Sequence, residues 1–330
     1  MKVFVSGAEG FIGSHLVEEL VARGHRVTAL AQYNSFNSIG WLASISEQAK
    51  GSVDIVLGDV RDDGFMQNAI AGHSHVAHLA ALIAIPFSYT SPASYVQTNV
   101  EGTLNVLESC RRNGVERLIH TSTSEVYGTA QYVPIDEAHP VVGQSPYSAS
   151  KIGADQLAHS YWSSFGVPVV TLRPFNTYGP RQSQRAFIPS VAVQLLAEVP
   201  RVSLGSLSPT RDLTFVSDTA KGFADVLLSD SGVGQTFNMG SGFEVSMRQV
   251  FDTLCEIAGF TPEVLLDPER VRPEASEVER LLSDSSKISE TFGWEPKYGH
   301  QEGLLQGLEA TYAWFAGKPF GGYSAMKYVV

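Results

Sequence analysis

The chain has little cysteine. Its 330 residues hold only Cys110 and Cys255, far apart and in no CxxC pair. Neither a disulfide framework nor a zinc knuckle can be built from them, and so few thiols fit a reducing compartment. Basic charge is also short. Lys and Arg number 23 against 34 Asp and Glu, a formal net charge of −11. That balance argues against non-specific binding to nucleic acid, although a few local arginines can still hold an anionic small molecule. Long apolar runs are missing. The longest, Leu79–Phe87, falls far below the ~18 residues of a membrane span. Gly7 and Glu9 interrupt the first segment too early for a signal peptide. The expectation is a cytoplasmic protein without membrane or nucleic-acid partners.

What is present is material for a large core. Hydrophobic residues make up 43% of the chain and charged residues 17%, which disfavours disorder and coiled coil. Short apolar runs predict strands at Val3–Val5, Arg26–Ala31, Val53–Leu57, His75–Ala80, Arg117–Thr121 and Pro168–Leu172. Between them lie helical periods. Ile12, Leu16, Leu20 and Val21 share one face, with Gly24 placed to stop that helix. Pro92–Asn113 is predicted as a helix with Val96, Val100, Leu104 and Leu107 on one face, and Ser148–Phe165 as another. This alternation predicts an α/β fold, a doubly wound parallel sheet covered on both faces. After Pro174, prolines break the pattern, and helices are expected at Ser217–Leu228, Ser246–Ala258 and Gly303–Phe315. Residues 1–174 are read as one domain to which later segments return, and 175–330 mainly as a smaller mixed α/β lobe. No function is legible in the Gly-rich, aromatic tail after Trp314.

Gly7-Ala8-Glu9-Gly10-Phe11-Ile12-Gly13 spells GxxGxxG between the first strand and the first helix. Glycines there permit a tight turn and close approach of a pyrophosphate to backbone N–H groups at a helix N-terminus. The context makes this a Rossmann-type dinucleotide loop. An acid is expected about 20 residues on, to hold a ribose hydroxyl of NAD. None occurs between Glu19 and Glu47, and the strand end reads Ala31-Gln32-Tyr33-Asn34-Ser35. Gln32, Asn34 and Ser35 are neutral and suit a 2′-hydroxyl or a 2′-phosphate. NAD is favoured because no arginine stands at that strand end, with NADP the alternative through Arg61. Asp59, followed by Val60, is a candidate for the adenine amino group.

Tyr147-Ser148-Ala149-Ser150-Lys151 is YxxxK, which sets both side chains on one helical face. A lysine ammonium beside a phenol lowers the phenol's pKa and makes a base available near neutral pH. Upstream, Thr121, Thr123, Ser124 and Glu125 end the fifth predicted strand, Glu125 preceding Tyr147 by 22 residues. With these residues the chain resembles the extended short-chain dehydrogenase/reductases, over nearly its whole length. The resemblance implies hydride transfer from a sugar carbon to a nicotinamide while Tyr147 removes the hydroxyl proton. It implies a tightly bound cofactor regenerated each turnover, with contacts from Leu79, Ala80, Ala81 and Asn99.

Thr123-Ser124-Glu125 followed by YxxxK is similar to GDP-mannose 4,6-dehydratases; the dTDP-glucose branch carries Asp where Ser124 stands. A 4-epimerase needs no carboxylate at Glu125. A 4,6-dehydratase does: after C4 oxidation it removes the C5 proton and assists loss of the C6 hydroxyl. UDP-glucuronate decarboxylases share the TSEVYG-like run, so decarboxylation and epimerisation stay open. Tyr33–Ser38, Ala80–Phe87, Arg173–Arg181, Ser208–Asp212 and Ser276–Arg280 together resemble GDP-N-acetylglucosamine 4,6-dehydratases of legionaminic-acid biosynthesis. The resemblance implies substrate contacts from Ile83, Thr123 and Asn176, and a diphosphate clamp from Arg211 and Arg272 with Arg185 as a third arginine. It also implies a homodimer through a four-helix bundle of Pro92–Asn113 and Ser148–Phe165. His73, His75 and His78 form HxHxxH, but a strand would split them between two faces, so no metal is expected.

Overall fold

The computed structural model describes residues 1–267, 270 and 273–317. The tail beyond 317 and Arg272 lie outside the described residues. Six strands come first: β1 (Lys2–Ser6), β2 (Arg26–Gln32), β3 (Val53–Gly58), β4 (His75–His78), β5 (Arg117–Thr121) and β6 (Val169–Pro174). After β7 (Asn176–Tyr178), β8 (Arg201–Leu204) and β9 (Thr210–Phe215), β10 (Thr236–Met239) joins the first six in one seven-stranded sheet of order β10-β6-β5-β4-β1-β2-β3. All its pairings are parallel. β11 (Glu244–Ser246) pairs with β9 in a three-stranded sheet, and β12 (Glu263–Leu266) pairs with β8. The mixed lobe is thus small, and the chain returns from it to the large sheet.

The strands are continuous apolar runs because both sheet faces are covered. Val3, Phe4 and Val5 have no exposed surface. Leu16, Val17 and Leu20 of the Phe11–Ala22 helix pack with Phe223, Val226 and Leu227 of the Val216–Leu227 helix on one face. Met66, Ile70, Val106, Leu107 and Cys110 cover the other. β3 is one of the two edge strands, and its Ile55 and Leu57 are exposed rather than buried.

The Pro92–Asn113 segment corrects an expectation. It is helical throughout, but Val96–Glu101 forms a π-helical turn between Pro92–Tyr95 and Gly102–Asn113. The wider turn shifts the phase of the face. Thr103, Val106, Leu107 and Cys110 are buried, while Val96 and Leu104 are exposed. The π turn turns Asn99 inward. Its amide oxygen accepts from Leu82 N at 2.8 Å, and its nitrogen donates to Leu82 O at 3.0 Å and Ser150 Oγ at 2.9 Å.

One buried carboxylate ties the centre together. Asp155 lies on the Pro146–Phe165 helix, one turn beyond Lys151. It accepts from His120 Nε2 at 3.0 Å, Ser122 Oγ at 2.8 Å and Arg173 Nη2 at 3.0 Å. Arg173 also donates to the Tyr127 hydroxyl at 2.9 Å, which donates to Asn238 Oδ1 at 2.7 Å. The network therefore joins the helix to β5, β6 and β10. Burial alone would raise the Asp155 pKa. The His120 hydrogen bond and the Arg173 charge outweigh it and hold the group below the usual carboxylate range.

Asp155→Asn leaves the Arg173 guanidinium without its counter-charge, and the expected loss at pH 7 is about 3–5 kcal/mol. A depressed folded-state pKa contributes stability above the unfolded value, and that contribution disappears as pH falls through the folded one. Denaturant titrations of both proteins check this: the gap between them should narrow below about pH 4.

Candidate active site

The glycine loop is built by close approach. Gly7 has φ +67°, and a Cβ there would lie 2.7 Å from Ala80 N. A Cβ on Gly13 would lie 2.1 Å from Gly7 O. Gly10 is the N-cap of the Phe11–Ala22 helix and supplies no side chain to it. Phe11 and Ile12 open that helix, so its first N–H groups face the loop, the arrangement that suits a phosphate. Leu79 and Ala80 close the cradle from β4: Leu79 N donates to Ser6 O at 3.1 Å and Ala80 N to Ser6 Oγ at 3.3 Å. Ala81 follows in the same loop. A dinucleotide fits this set of residues, since the close backbone approach that glycine permits at Gly7 and Gly13 brings the loop against the helix N-terminus, where free N–H groups suit a pyrophosphate.

At the adenosine side the neutral residues have other work. Asn34 folds its own loop, accepting from Phe36 N and Ser38 N and donating to Gln32 O and Ser38 O. Ser35 is exposed. Asp59 accepts from Arg61 Nε at 3.0 Å with both oxygens, and the Arg61 hydrogen bonds hold its pKa below the usual range. Arg61 is thus engaged by Asp59. Val60 is buried against Gly102, and its carbonyl accepts from Asn105 Nδ2 at 3.0 Å. At the strand end itself, Gln32 N donates to Glu9 Oε1 at 2.9 Å.

The candidate catalytic residues Thr123, Ser124 and Glu125 follow the end of β5. Thr123 caps the Ser124–Tyr127 turn, accepting from Glu125 N at 3.2 Å. Thr123, Ser124, Glu125, Tyr147 and Lys151 are all buried. Burial raises the Tyr147 pKa above its ordinary value; the hydrogen bond with Thr123 opposes the rise and the Glu125 charge adds to it. Burial lowers Lys151 to about 8. Its ammonium donates to Thr121 O at 2.6 Å. The expected lowering of the phenol by Lys151 is therefore corrected: in the protein by itself, desolvation is the larger effect. Among the described residues, Thr121 Oγ1 and Asn176 Oδ1 are buried without hydrogen-bond partners.

Tyr95 packs edge-on to the Tyr147 ring, centroids 6.2 Å apart. Its hydroxyl is pushed up to about 12 by burial, with the Arg185 charge acting against the rise. Arg185 itself is exposed. Ile83 is 67% exposed on the loop above. Arg211 is buried, donates to Thr210 O at 2.8 Å and lies 3.5 Å from Glu277. Arg280 makes a paired contact with Glu244 at 2.7 and 2.8 Å. Ser276 Oγ lies 2.6 Å from the Tyr89 hydroxyl and donates to Gln144 O. The Ser208–Asp212 and Ser276–Arg280 motifs, far apart in sequence, therefore meet. Sequence reasoning missed Tyr95, for which no pattern signals, and Asp155, whose position four residues after Lys151 was the available signal.

The three histidines are dispersed. His73 contacts Thr28 Oγ1 at 2.8 Å, His75 contacts Ser74 Oγ at 2.9 Å, and His78 bridges Ser6 and Thr103. Among the described residues no group of three His, Cys, Asp or Glu is arranged to hold a metal ion. No described helix is long and apolar enough to cross a membrane.

Comparison with known proteins follows this geometry. A family model described as GDP-mannose 4,6 dehydratase matches residues 4–306. A dTDP-glucose 4,6-dehydratase of Actinoplanes sp. is 32% identical over 96% of this chain and 98% of its own. A dTDP-glucose 4,6-dehydratase from Streptomyces venezuelae, solved with NAD bound, superposes with a TM-score of 0.87 at 28% identity, covering 99% of this chain and 100% of its own. A Thermus thermophilus UDP-glucose 4-epimerase, solved with NAD, gives 0.82 at 32% identity, covering 96% and 99%. The chain belongs to the NAD-dependent epimerase/dehydratase family of the extended short-chain dehydrogenase/reductases.

Proposed function

We propose that the chain is a nucleotide-sugar 4,6-dehydratase that converts an NDP-hexose to its 4-keto-6-deoxy form. The observation that carries this is Glu125, a buried carboxylate whose charge acts on the Tyr147 phenol that Thr123 hydrogen-bonds. An epimerase has no use for a carboxylate at that point. GDP-N-acetylglucosamine is the proposed substrate, supported by the motifs at 33–38, 80–87, 173–181, 208–212 and 276–280. Residues 1–174 would hold NAD and the later lobe mainly the nucleotide sugar. Relatives solved with NAD support that cofactor.

Gly7, Gly10 and Gly13 would hold NAD, which when bound would supply an acceptor and donor for the C4 hydride and a positive charge that favours an ionised Tyr147. The protein does the proton chemistry. Tyr147 accepts the C4 hydroxyl proton, and Thr123 holds its phenol in line. Oxidation at C4 acidifies the neighbouring C5–H. Glu125 takes that proton and passes it to the departing C6 hydroxyl, which leaves as water; as the hydride returns to C6, a solvent-derived proton delivered through Glu125 is added at C5. Asn176 and Arg185 would hold the sugar diphosphate with Arg211 and Arg272, Arg211 by exchanging its Thr210 and Glu277 contacts.

A homodimer is part of the reading. Val96 and Leu104 are exposed apolar side chains on a segment that packs against the Pro146–Phe165 helix, which itself exposes Trp162 and Phe165. Two copies of that pair would cover these side chains as a four-helix bundle. Light scattering at micromolar concentration should give twice the chain mass; a monomer contradicts the bundle.

Incubation with GDP-N-acetylglucosamine, UDP-N-acetylglucosamine, GDP-mannose and UDP-glucuronate, followed by mass spectrometry, tests the reaction. Loss of one water from the first is expected. Loss of carbon dioxide from UDP-glucuronate, or an isomer of unchanged mass, overturns it. Tyr147→Phe should reduce turnover by about 10²–10⁴-fold and suppress the near-ultraviolet absorbance of reduced nicotinamide. Glu125→Gln should keep that absorbance and block C5 exchange with deuterated water. Exchange at the wild-type rate would mean that another group is the base.

A further inference from the structure

The strand end that meets the adenosine ribose in a dinucleotide fold has no acid of its own here. No Asp or Glu lies between Glu19 and Glu47. A carboxylate nevertheless reaches that point from another element. Glu9 belongs to the glycine loop, and its Oε1 accepts from Gln32 N, the last residue of β2, at 2.9 Å. Its other oxygen, Oε2, is buried and has no hydrogen-bond partner. The residue is held from behind: Trp41 N donates to Glu9 O at 2.9 Å, and a Cβ on Gly40 would lie 2.5 Å from that same oxygen.

The neighbours leave the position to Glu9. The Asn34 amide is consumed by four hydrogen bonds inside its own loop. Arg61, the nearest candidate for a 2′-phosphate, is bound to Asp59 through Nε and Nη2. The strand end therefore offers a carboxylate with spare acceptor capacity, while Arg61 is committed to Asp59.

We infer that Glu9 is the ribose-binding acid of this chain and the residue that selects NAD over NADP. The acid has moved from the strand end to the glycine loop. Each carboxylate oxygen accepts two hydrogen bonds, so Glu9 can keep its Gln32 contact and still accept from a ribose hydroxyl. A turn about its last side-chain bond offers either oxygen. A 2′-phosphate at the same place brings negative charge against negative charge. The inference rests on the reading that a nicotinamide dinucleotide occupies the glycine loop.

Calorimetric titration of the whole protein with NAD and with NADP, without sugar substrate, tests it. The wild type should bind NAD more tightly than NADP. Glu9→Gln keeps an acceptor for Gln32 N but removes the charge, and should weaken NAD about tenfold while narrowing the NAD-to-NADP ratio. Adding Gln32→Asp to Glu9→Ala returns an acid to the strand end and should restore the preference for NAD, a result that a purely structural role for Glu9 would not give. Unchanged affinities for both cofactors in Glu9→Gln, a wild-type preference for NADP, or failure of Gln32→Asp to restore selectivity would each overturn the assignment. A wild type that binds NAD with no response to these substitutions refutes only the role of Glu9. A wild type that binds neither cofactor refutes the dinucleotide reading itself.

Discussion

The Asp155 carboxylate is the contact on which the catalytic centre depends. It sits one helical turn from Lys151 and receives hydrogen bonds from β5, from the residue after β5 and from β6. A helix lying on a sheet can slide or roll by small amounts without losing apolar contact, because hydrophobic burial has no direction. Hydrogen bonds from three residues to one buried carboxylate remove that freedom. They set the height of the helix so that Lys151 Nζ meets Thr121 O and the Tyr147 phenol meets Thr123. The same network reaches Tyr127 and Asn238, so the TSEVYG turn that carries Glu125 is fixed by the same anchor.

That placement has an energetic cost. Tyr147 and Lys151 are both buried, and burial pushes the two pKa values in opposite senses, the phenol upward and the ammonium downward. Neither direction favours the charged form of its group. A site in this condition is poised for an incoming positive charge and for hydroxyl partners from a substrate. Local stability is given up where a ligand restores it.

Much of this was legible in the order of residues. The Arg117–Thr121 strand stands where its apolar run predicts, and the first helix opens at Phe11 as the glycine spacing requires. The Tyr147 and Lys151 pair follows from its four-residue spacing. Other features were not legible, for physical reasons. The π turn at Val96–Glu101 exists because Asn99 finds Leu82 and Ser150, contacts made across long sequence separations. Asn34 looks like a ligand group, yet its loop consumes it. Arg211 and Glu277 meet only after the second lobe folds. Glu9 stands beside Gln32 only because β1 and β2 are paired in register, Lys2 against Arg26. A linear scan for an acid on β2 passes over it.

The central claim is that Glu125 turns a C4 oxidation into a dehydration. A nucleotide sugar carrying deuterium at C4 tests it most directly. Dehydration requires the label to leave C4 and reappear at C6 of the same molecule, with one water lost, and nuclear magnetic resonance of the product should find deuterium in the new methyl group. Deuterium returned to C4 with the C6 hydroxyl intact would contradict the dehydratase reading and leave Glu125 without its assigned role.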